Sequence, residues 1–304
     1  MTNEVLTKVQ LFLDEASRVA GGKSNSTCSI PPAIIEEFKE ACGHALERQF
    51  TQRKNEYRIR MSGVGKPMCQ QQMGMRDDVV EDVDYTLVMK FLFGDIIEAI
   101  AVTVMKAAGI NIEDEQKAVK LDIGNTTLKG TYDVKIDGKV YDIKSASPGA
   151  FSMKFSANRG YNNIKSDDVF GYVQQGYLYS EAADCEFGGW IAINKATGEW
   201  AVCKAPLLQD EDRKEALEKS HNNIVEVLSN KKFKKSFSDT EEVYKDRKTK
   251  EIKKTGNRLM HRNCGYCGYK EYCWPKAVIK PKAISRAENK PRVWYTKYVK
   301  ESIE

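Results

Sequence analysis

Apolar positions along the chain change their period several times, and each change marks an element. Residues 2–20 and 32–49 space their apolar side chains as amphipathic helices do, and Pro31-Pro32 opens the second, with Pro32 near its first position. A Ser-rich loop, 23–30, lies between them, and 51–82, rich in Met, Gln, Gly and charge, reads as irregular. The most apolar segment, YTLVMKFLFGDIIEAIAVTVMKAA (85–108), is interrupted by Lys90, Asp95 and Glu98. It therefore predicts a core helix over about 86–108 that closes at Gly109, not a membrane span. The period then shortens to two, predicting strands at 117–123, 127–136 and 139–145. A polar loop at 147–166 leads to a helix over 168–182, capped by Ser166 or Asp167. Strands at 187–194 and 199–204, joined by KATG, precede an amphipathic helix, 208–229, that presents Leu217, Ile224 and Leu228. A lysine-rich linker, a cysteine-rich stretch at 264–274 and a basic tail follow, with no internal repeat. This order predicts an α/β (α+β) fold around a mixed sheet.

The segment GTYDVKIDGKVYDIKSA (130–146) has the strongest local signal. Asp137-Gly138 between two alternating runs predicts a two-residue hairpin turn with positive φ at both positions. Ile136 then faces Lys139, Lys135 faces Val140, Val134 faces Tyr141, and Asp133 faces Asp142. Alternation puts Thr131, Asp133, Lys135, Val140, Asp142 and Lys144 on one face, and Tyr132, Val134, Tyr141 and Ile143 on an apolar one. Opposed carboxylates about 5 Å apart repel, so they call for a cation, a shared proton or wide exposure to solvent. A solvated polar face would satisfy that last condition. Convergence of Thr131, Asp133, Asp142 and Lys144 at one end of the hairpin favours a divalent-metal site beside a lysine.

Composition narrows the class. The 304 residues are 41% hydrophobic and 10% aromatic, enough for a core, and 30% charged with a net +5. The positive excess concentrates at 231–254 and 276–300, runs that suit a polyanion or simply a solubilising surface. The N-terminus lacks a basic segment followed by an apolar one, so the expectation is a soluble, cytoplasmic protein. Eight cysteines in such a chain argue for thiol or metal chemistry over a disulfide framework.

Two further constellations stand out. Glu98 lies four residues after Gly94, among Ile96, Ile97, Ile100 and Ala101. A carboxylate there is costly unless paired: it either joins Asp95 on a polar stripe and binds a lysine, or adds a third carboxylate to Asp133 and Asp142. In NCGYCGYKEYCWP, Cys264, Cys267 and Cys273 can supply three corners of a metal site, and His261 or Cys69 the fourth. Cys28, Cys42, Cys185 and Cys203 have no partner at metal spacing, and Cys185 and Cys203 read as buried strand-end thiols.

The order Gly94-x-x-x-Glu98, Gly130-x-x-Asp133, Asp142-Ile143-Lys144 resembles the PD-(D/E)xK nuclease superfamily. Gln175-Gly-Tyr-Leu-Tyr179 resembles the Q-x-x-x-Y motif of its RecB-like branch, with Gln174 as a competing match. Glu98 stands where many relatives have histidine, and Tyr132 where a proline is common. RMSGVGKPMCQQQ around Cys69 resembles the lead-in of RecB-like, CRISPR-associated iron–sulfur nucleases, with one extra residue and a glutamine for an arginine.

The resemblance implies a restriction-endonuclease-like core, a mixed sheet flanked by helices. It implies that Glu98, Asp133, Asp142 and the Ile143 carbonyl hold Mg2+ or Mn2+, that Lys144 positions the attacking water, and that Gln175 and Tyr179 orient Lys144 or touch DNA. It also implies that Cys69, Cys264, Cys267 and Cys273 bind a 4Fe–4S cluster, although four thiolates equally suit zinc. The expected organisation is a helical region at 1–60, a nuclease core at 61–230 and a cysteine module with basic flanks at 231–304. The expected activity is a metal-dependent DNA exonuclease acting on single strands or DNA ends, with no membrane partner. An endonuclease or flap-type nuclease on the same site, or a silent DNA-binding relative with zinc, are the rivals. Lys154, Phe155, Arg159, Tyr161 and Lys165, with Arg53, Lys54, Arg58 and Arg60, are the expected DNA contacts. Replication, repair, recombination and CRISPR spacer acquisition all stay open as pathways.

Overall fold

A computed structural model describes residues 4–51, 58–79, 81, 83, 85–156, 159–229, 232–275, 277–279 and 296–298. In chain order the elements are α1 (Glu4–Ala20), α2 (Pro32–Phe50), α3 (Met68–Gly74), α4 (Tyr85–Ala107), β1 (Ile112–Ile123), β2 (Thr126–Ile136) and β3 (Lys139–Ala146). After these come α5 (Pro148–Ala150), a π-helical turn (Phe151–Phe155), α6 (Tyr161–Ser166), α7 (Tyr172–Ala182), β4 (Glu186–Asn194), β5 (Trp200–Lys204) and α8 (Asp210–Leu228). The last are β6 (Thr240–Lys245), β7 (Ile252–Leu259), a 3-10 turn (Arg262–Tyr266), α9 (Lys270–Cys273), β8 (Val278–Ile279) and β9 (Thr296–Tyr298). The chain divides into two compact units, residues 1–65 with 84–228, and residues 66–83 with 229–304.

The first unit is built on a five-stranded sheet in the order β1-β2-β3-β4-β5. Only β3 and β4 are parallel, so the sheet is mixed as the element order predicts. Their connection carries α5, the π turn, α6 and α7, the long crossover that a parallel pair requires. Val134, Ile136, Ile143, Ile191 and Ile193 pack against α1 and α4, burying Val9, Ala101 and Met105. The opposite face packs Leu128, Tyr132 and Val140 with Leu178, Tyr179 and Ile224. Beside them Tyr177, Phe187 and Trp190 meet edge to face, and Tyr161 stacks on Trp190 at 5.9 Å. Around β3 the sheet is covered on both faces, so the carboxylate end of the hairpin has no solvated polar face: Val140 is fully buried and Asp142 is 1% exposed, whereas Thr131, farther out on β2, is exposed.

The hairpin turn is as expected, with φ of 50° at Asp137 and 69° at Gly138 and the pairs Ile136–Lys139, Lys135–Val140 and Val134–Tyr141. Tyr132 does not share a face with Val134, because it packs with Val140 on the opposite side of the sheet. Its hydroxyl donates to Asp114 at 2.9 Å. Residues 147–166 are largely helical, since Phe151, Phe155, Tyr161 and Ile164 are core residues hidden in a polar sequence. The N-cap of α7 is Gly171, at φ 74°, not Ser166 or Asp167, and the Asp168 carboxylate three residues earlier accepts from the Tyr172 and Val173 N–H groups at 2.8 Å. On α8 the buried stripe is Ala216, Ser220, Ile224 and Val227, and Leu228 is exposed.

The second unit includes a short helix, α3, where the sequence reads as irregular, and a β6–β7 hairpin where it reads as a linker. Cross-strand charge pairing explains the hairpin in so lysine-rich a stretch. Arg258 binds Asp239 with two side-chain bonds of 2.7 and 2.8 Å, and Lys254 pairs with Glu241 at 2.7 Å. Most of the basic tail lies outside the described residues.

Candidate active site and cysteine cluster

Glu98 comes from α4, Asp133 from β2, Asp142 and Lys144 from β3, and Gln175 and Tyr179 from α7. Ladder pairing between β2 and β3 ends at Val134–Tyr141, and the two strands part beyond it. The Asp133 carboxylate turns into the gap and accepts from the Ile143 N–H at 2.5 Å. Asp133 and Asp142 are therefore not a directly opposed ladder pair, because the splay that frees the Ile143 N–H gives Asp133 a partner of its own. Lys144 Nζ lies 2.7 Å from Asp142 Oδ2 and 4.7 Å from the centre of the Tyr172 ring. The ring face favours that cation.

Burial raises the proton affinity of all three acids, and neighbouring carboxylates add to the rise at Glu98 and Asp133. Burial and then the Asp142 charge hold Glu98 up at about 7, against the pull of Arg48 and Lys144. Burial, Glu98 and Asp142 lift Asp133 well above the carboxylate range. Burial raises Asp142 too, opposed by Lys144. Lys144 stays charged, since Asp142, Tyr172 and Asp133 outweigh the cost of burying it. Of the two roles weighed for Glu98, the lysine-bound stripe does not form. Asp95 is held by Arg48 at 2.8 Å and Gln49 at 2.6 Å, while Glu98 accepts from Gln116.

This donor set suits a hard divalent cation, which would offset the crowded negative charge. Asp142 Oδ2 is buried, ion-paired with Lys144 yet without an aligned hydrogen bond, so an acceptor oxygen is at hand. Among the described residues, no group of three or more His, Cys, Asp or Glu side chains is arranged to hold a single ion. The chemistry of the acids fits the cation, and their side chains are not arranged around one point.

Gln175 donates to the Tyr179 hydroxyl at 3.2 Å, which separates it from Gln174, whose side chain packs toward Gly65. Burial, then Asp142, push the Tyr179 phenol up to about 12. Gly130 makes room for that ring: a Cβ there would lie 2.5 Å from it and 2.9 Å from Met61 Sδ. A side chain at Gly94 would meet only ordinary contact with Ser145 at 3.9 Å. The sequence reading misses Tyr172, Arg48 and Gln116. Tyr172 lies seven residues before Tyr179, so helical periodicity could have put it on the same face. Arg48 and Gln116 come from other elements and leave no local signal.

The expected DNA contacts fare unevenly. Phe155 and Tyr161 are 3% and 7% exposed, in the core, so they offer no ring to a base. Lys165 is taken by Asp212 and Glu215 at 2.5 Å, and Lys154 donates to the Asp167 carbonyl at 2.5 Å. Arg159, Arg58 and Arg60 are exposed, and Arg53 and Lys54 lie outside the described residues.

In the second unit Cys69 sits on α3, Cys264 in the 3-10 turn, Cys267 just after it and Cys273 at the end of α9. All four are half-buried, with Met73, Val79, Phe233 and Tyr269 packed around Cys267 and Cys273. Burial raises the Cys264, Cys267 and Cys273 thiols, Cys273 to about 11, and Cys69 adds to the rise at each. His261 instead accepts from the Asn263 N–H through Nδ1 and stacks on Phe237 at 4.5 Å. Lys235, 3.7 Å from the centre of the Trp274 ring, favours the thiolates of Cys264 and Cys273. The chemistry of the set fits a soft-metal centre, although it too is not arranged around one point. Cys203 is buried, as expected, and burial pushes its thiol up to about 12.

Among the described residues no helix is long and apolar enough to cross a membrane. No family model matches the chain, and no curated protein matches it at a significant level. Among solved structures, one of a protein named SSO0001 is similar at 14% identity and a TM-score of 0.38, over 62% of this chain and 84% of that one. Another, named "Putative exonuclease", from Eubacterium rectale, is similar at 15% identity and a TM-score of 0.32, over 47% of this chain and 64% of that one.

Proposed function

We propose that the chain is a metal-dependent DNA nuclease that hydrolyses phosphodiester bonds, acting as an exonuclease on single strands or DNA ends. The observation that carries this reading is the gathering of the Glu98, Asp133 and Asp142 carboxyl groups beside the Lys144 ammonium, where a mixed sheet meets α4: Asp133 accepts from the Ile143 N–H next to Asp142, Asp142 pairs with Lys144 at 2.7 Å, and the charges of these groups act on one another. Glu98, Asp133, Asp142 and the Ile143 carbonyl would hold Mg2+ or Mn2+. Such an ion polarises the scissile phosphate and acidifies a bound water. Lys144 orients the attacking water and offsets charge developing on the phosphate, and Asp142 and the Tyr172 ring fix its ammonium in place. Tyr179, steadied by Gln175, borders the acids and positions Lys144 or the DNA backbone. Cys69, Cys264, Cys267 and Cys273 would bind a 4Fe–4S cluster with a structural role, or zinc in its place. The resemblance of the motifs to RecB-like iron–sulfur nucleases supports iron.

The test is a time course on end-labelled single- and double-stranded DNA with Mg2+ or Mn2+, beside Asp142→Ala and Lys144→Ala. Stepwise loss from an end in the parent, and none in the variants, is the expected result. Products cut internally would replace the exonuclease by an endonuclease. DNA left intact by the parent under every condition would overturn the enzyme and leave only a DNA-binding role.

A further inference from the structure

The long β1–β2 hairpin reaches past the rest of the sheet and carries a charge arrangement that its fold does not explain. Along β1, Val119, Leu121 and Ile123 turn inward to pack beside Leu128 and Tyr132, while Ala118, Lys120 and Asp122 are exposed. Along β2, Thr127, Lys129 and Thr131 are exposed on the same side. The register sets Lys120 directly opposite Lys129. On the other flank of β2 the chain at Arg60 bridges Lys129 in parallel, with the Met61 N–H donating to the Lys129 carbonyl at 3.2 Å. Met61 is fully buried and Arg60 is exposed, so Arg60 emerges on the lysine side.

Three cations thus stand side by side across three adjacent backbones, about 5 Å from one to the next. Like charges directly opposed on a sheet are destabilising. The nearby carboxylate, Asp122, accepts from Thr127 at 2.6 Å. No salt bridge of the described residues involves Lys120, Lys129 or Arg60. The row also points at the acids. Gln116, four residues before Lys120 on β1, donates to Glu98, and four residues of strand span about 13 Å. Between them the exposed pair is the small Ala118 and Thr131.

We infer that Lys120, Lys129 and Arg60 form a backbone-binding row for one DNA strand, gripping phosphates a few nucleotides from the site of hydrolysis. This rests on the nuclease reading and names the surface that feeds that site. The continuity of the row with Glu98 favours DNA over an acidic protein, because only a phosphodiester chain has reason to enter both.

The test is binding of a fluorescent single-stranded oligonucleotide in EDTA, titrated over a range of salt. The parent is compared with the triple variant Lys120→Ala, Lys129→Ala, Arg60→Ala. A control variant, Lys23→Ala, Lys39→Ala, Lys204→Ala, removes the same charge from other exposed sites. Loss of three phosphate contacts should flatten the plot of log K against log salt by about 2 units, at about 0.7 per contact on a single strand. The control should match the parent, and a melting temperature no lower than the parent's shows that the triple variant folds. Equal slopes in all three proteins, with cleavage in Mg2+ intact in the parent, would overturn the row and spare the nuclease. A parent that neither binds nor cuts DNA would overturn both, and an acidic protein would then be the remaining partner.

Discussion

At the residue scale, one ammonium faces three carboxyl groups, and that imbalance has a pH signature. Glu98 titrates near 7 in the fold and near 4.5 in the unfolded chain, so between those values the native protein holds the extra proton. Stability of the metal-free protein should therefore fall as pH rises from about 4.5 to 7, by up to about 3 kcal/mol. Thermal melts in a chelator across that range would show it, and Glu98→Gln should flatten the profile. A profile with the same slope in both proteins would refute this origin. Lys144→Ala should cost activity by roughly 10²- to 10³-fold, as the loss of one preorganised charge does elsewhere, while the protein stays folded by circular dichroism. Gly130→Ala is a steric test of the same site. Its Cβ would meet the Tyr179 ring at 2.5 Å, so it should destabilise by about 1–3 kcal/mol in urea unfolding and lower activity with it.

At the scale of elements, the crowded approach of α7 to the sheet depends on a missing side chain. A Cβ at Gly176 would lie 2.3 Å from the Phe187 ring, in the middle of the aromatic cluster. Gly176→Ala should push α7 off β4, moving Gln175 and Tyr179 with it. The expected outcome is a lower melting temperature and a larger loss of activity than of stability. Equal activity at a temperature well below both melting points would show that α7 does not position the site. The same element shows how far local signals reach. Apolar alternation finds β2 and β3 within a residue of their ends, and the Asp-Gly pair finds the turn. It misassigns the face of Tyr132 because the change of side arises where β2 parts from β3, a pairing event with no signature in either strand alone. The helical content of 147–166 is missed for a related reason: Phe151, Phe155, Tyr161 and Ile164 are spread among polar residues and become a core only against Trp190 and Phe187.

At the scale of the whole molecule, residues 66–83 are grouped with 229–304, although 145 residues of the other unit lie between them in sequence. Closing so long a loop costs only slowly rising entropy, and a metal held by Cys69, Cys264, Cys267 and Cys273 would offset it. Cys69→Ser and Cys273→Ser should each lose the bound iron or zinc by elemental analysis. Each should also make the second unit a target for limited proteolysis while the sheet of the first unit survives. Full metal content in either variant would remove that cysteine from the ligand set.

The amino-acid sequence by itself determined the mixed sheet, its central hairpin, the core helix and the identity of the acidic and cysteine groups. Those follow from period, turn chemistry and residue type, which act between near neighbours. Tertiary structure decided which groups meet: that Asp95 goes to Arg48 and leaves Glu98 to the acids, that Tyr172 stacks on Lys144, that Phe155 is core, and that Lys120 opposes Lys129. Each depends on register and packing between segments far apart in the chain. No local pattern encodes those contacts, because their free energy exists only once the backbone has brought the partners together.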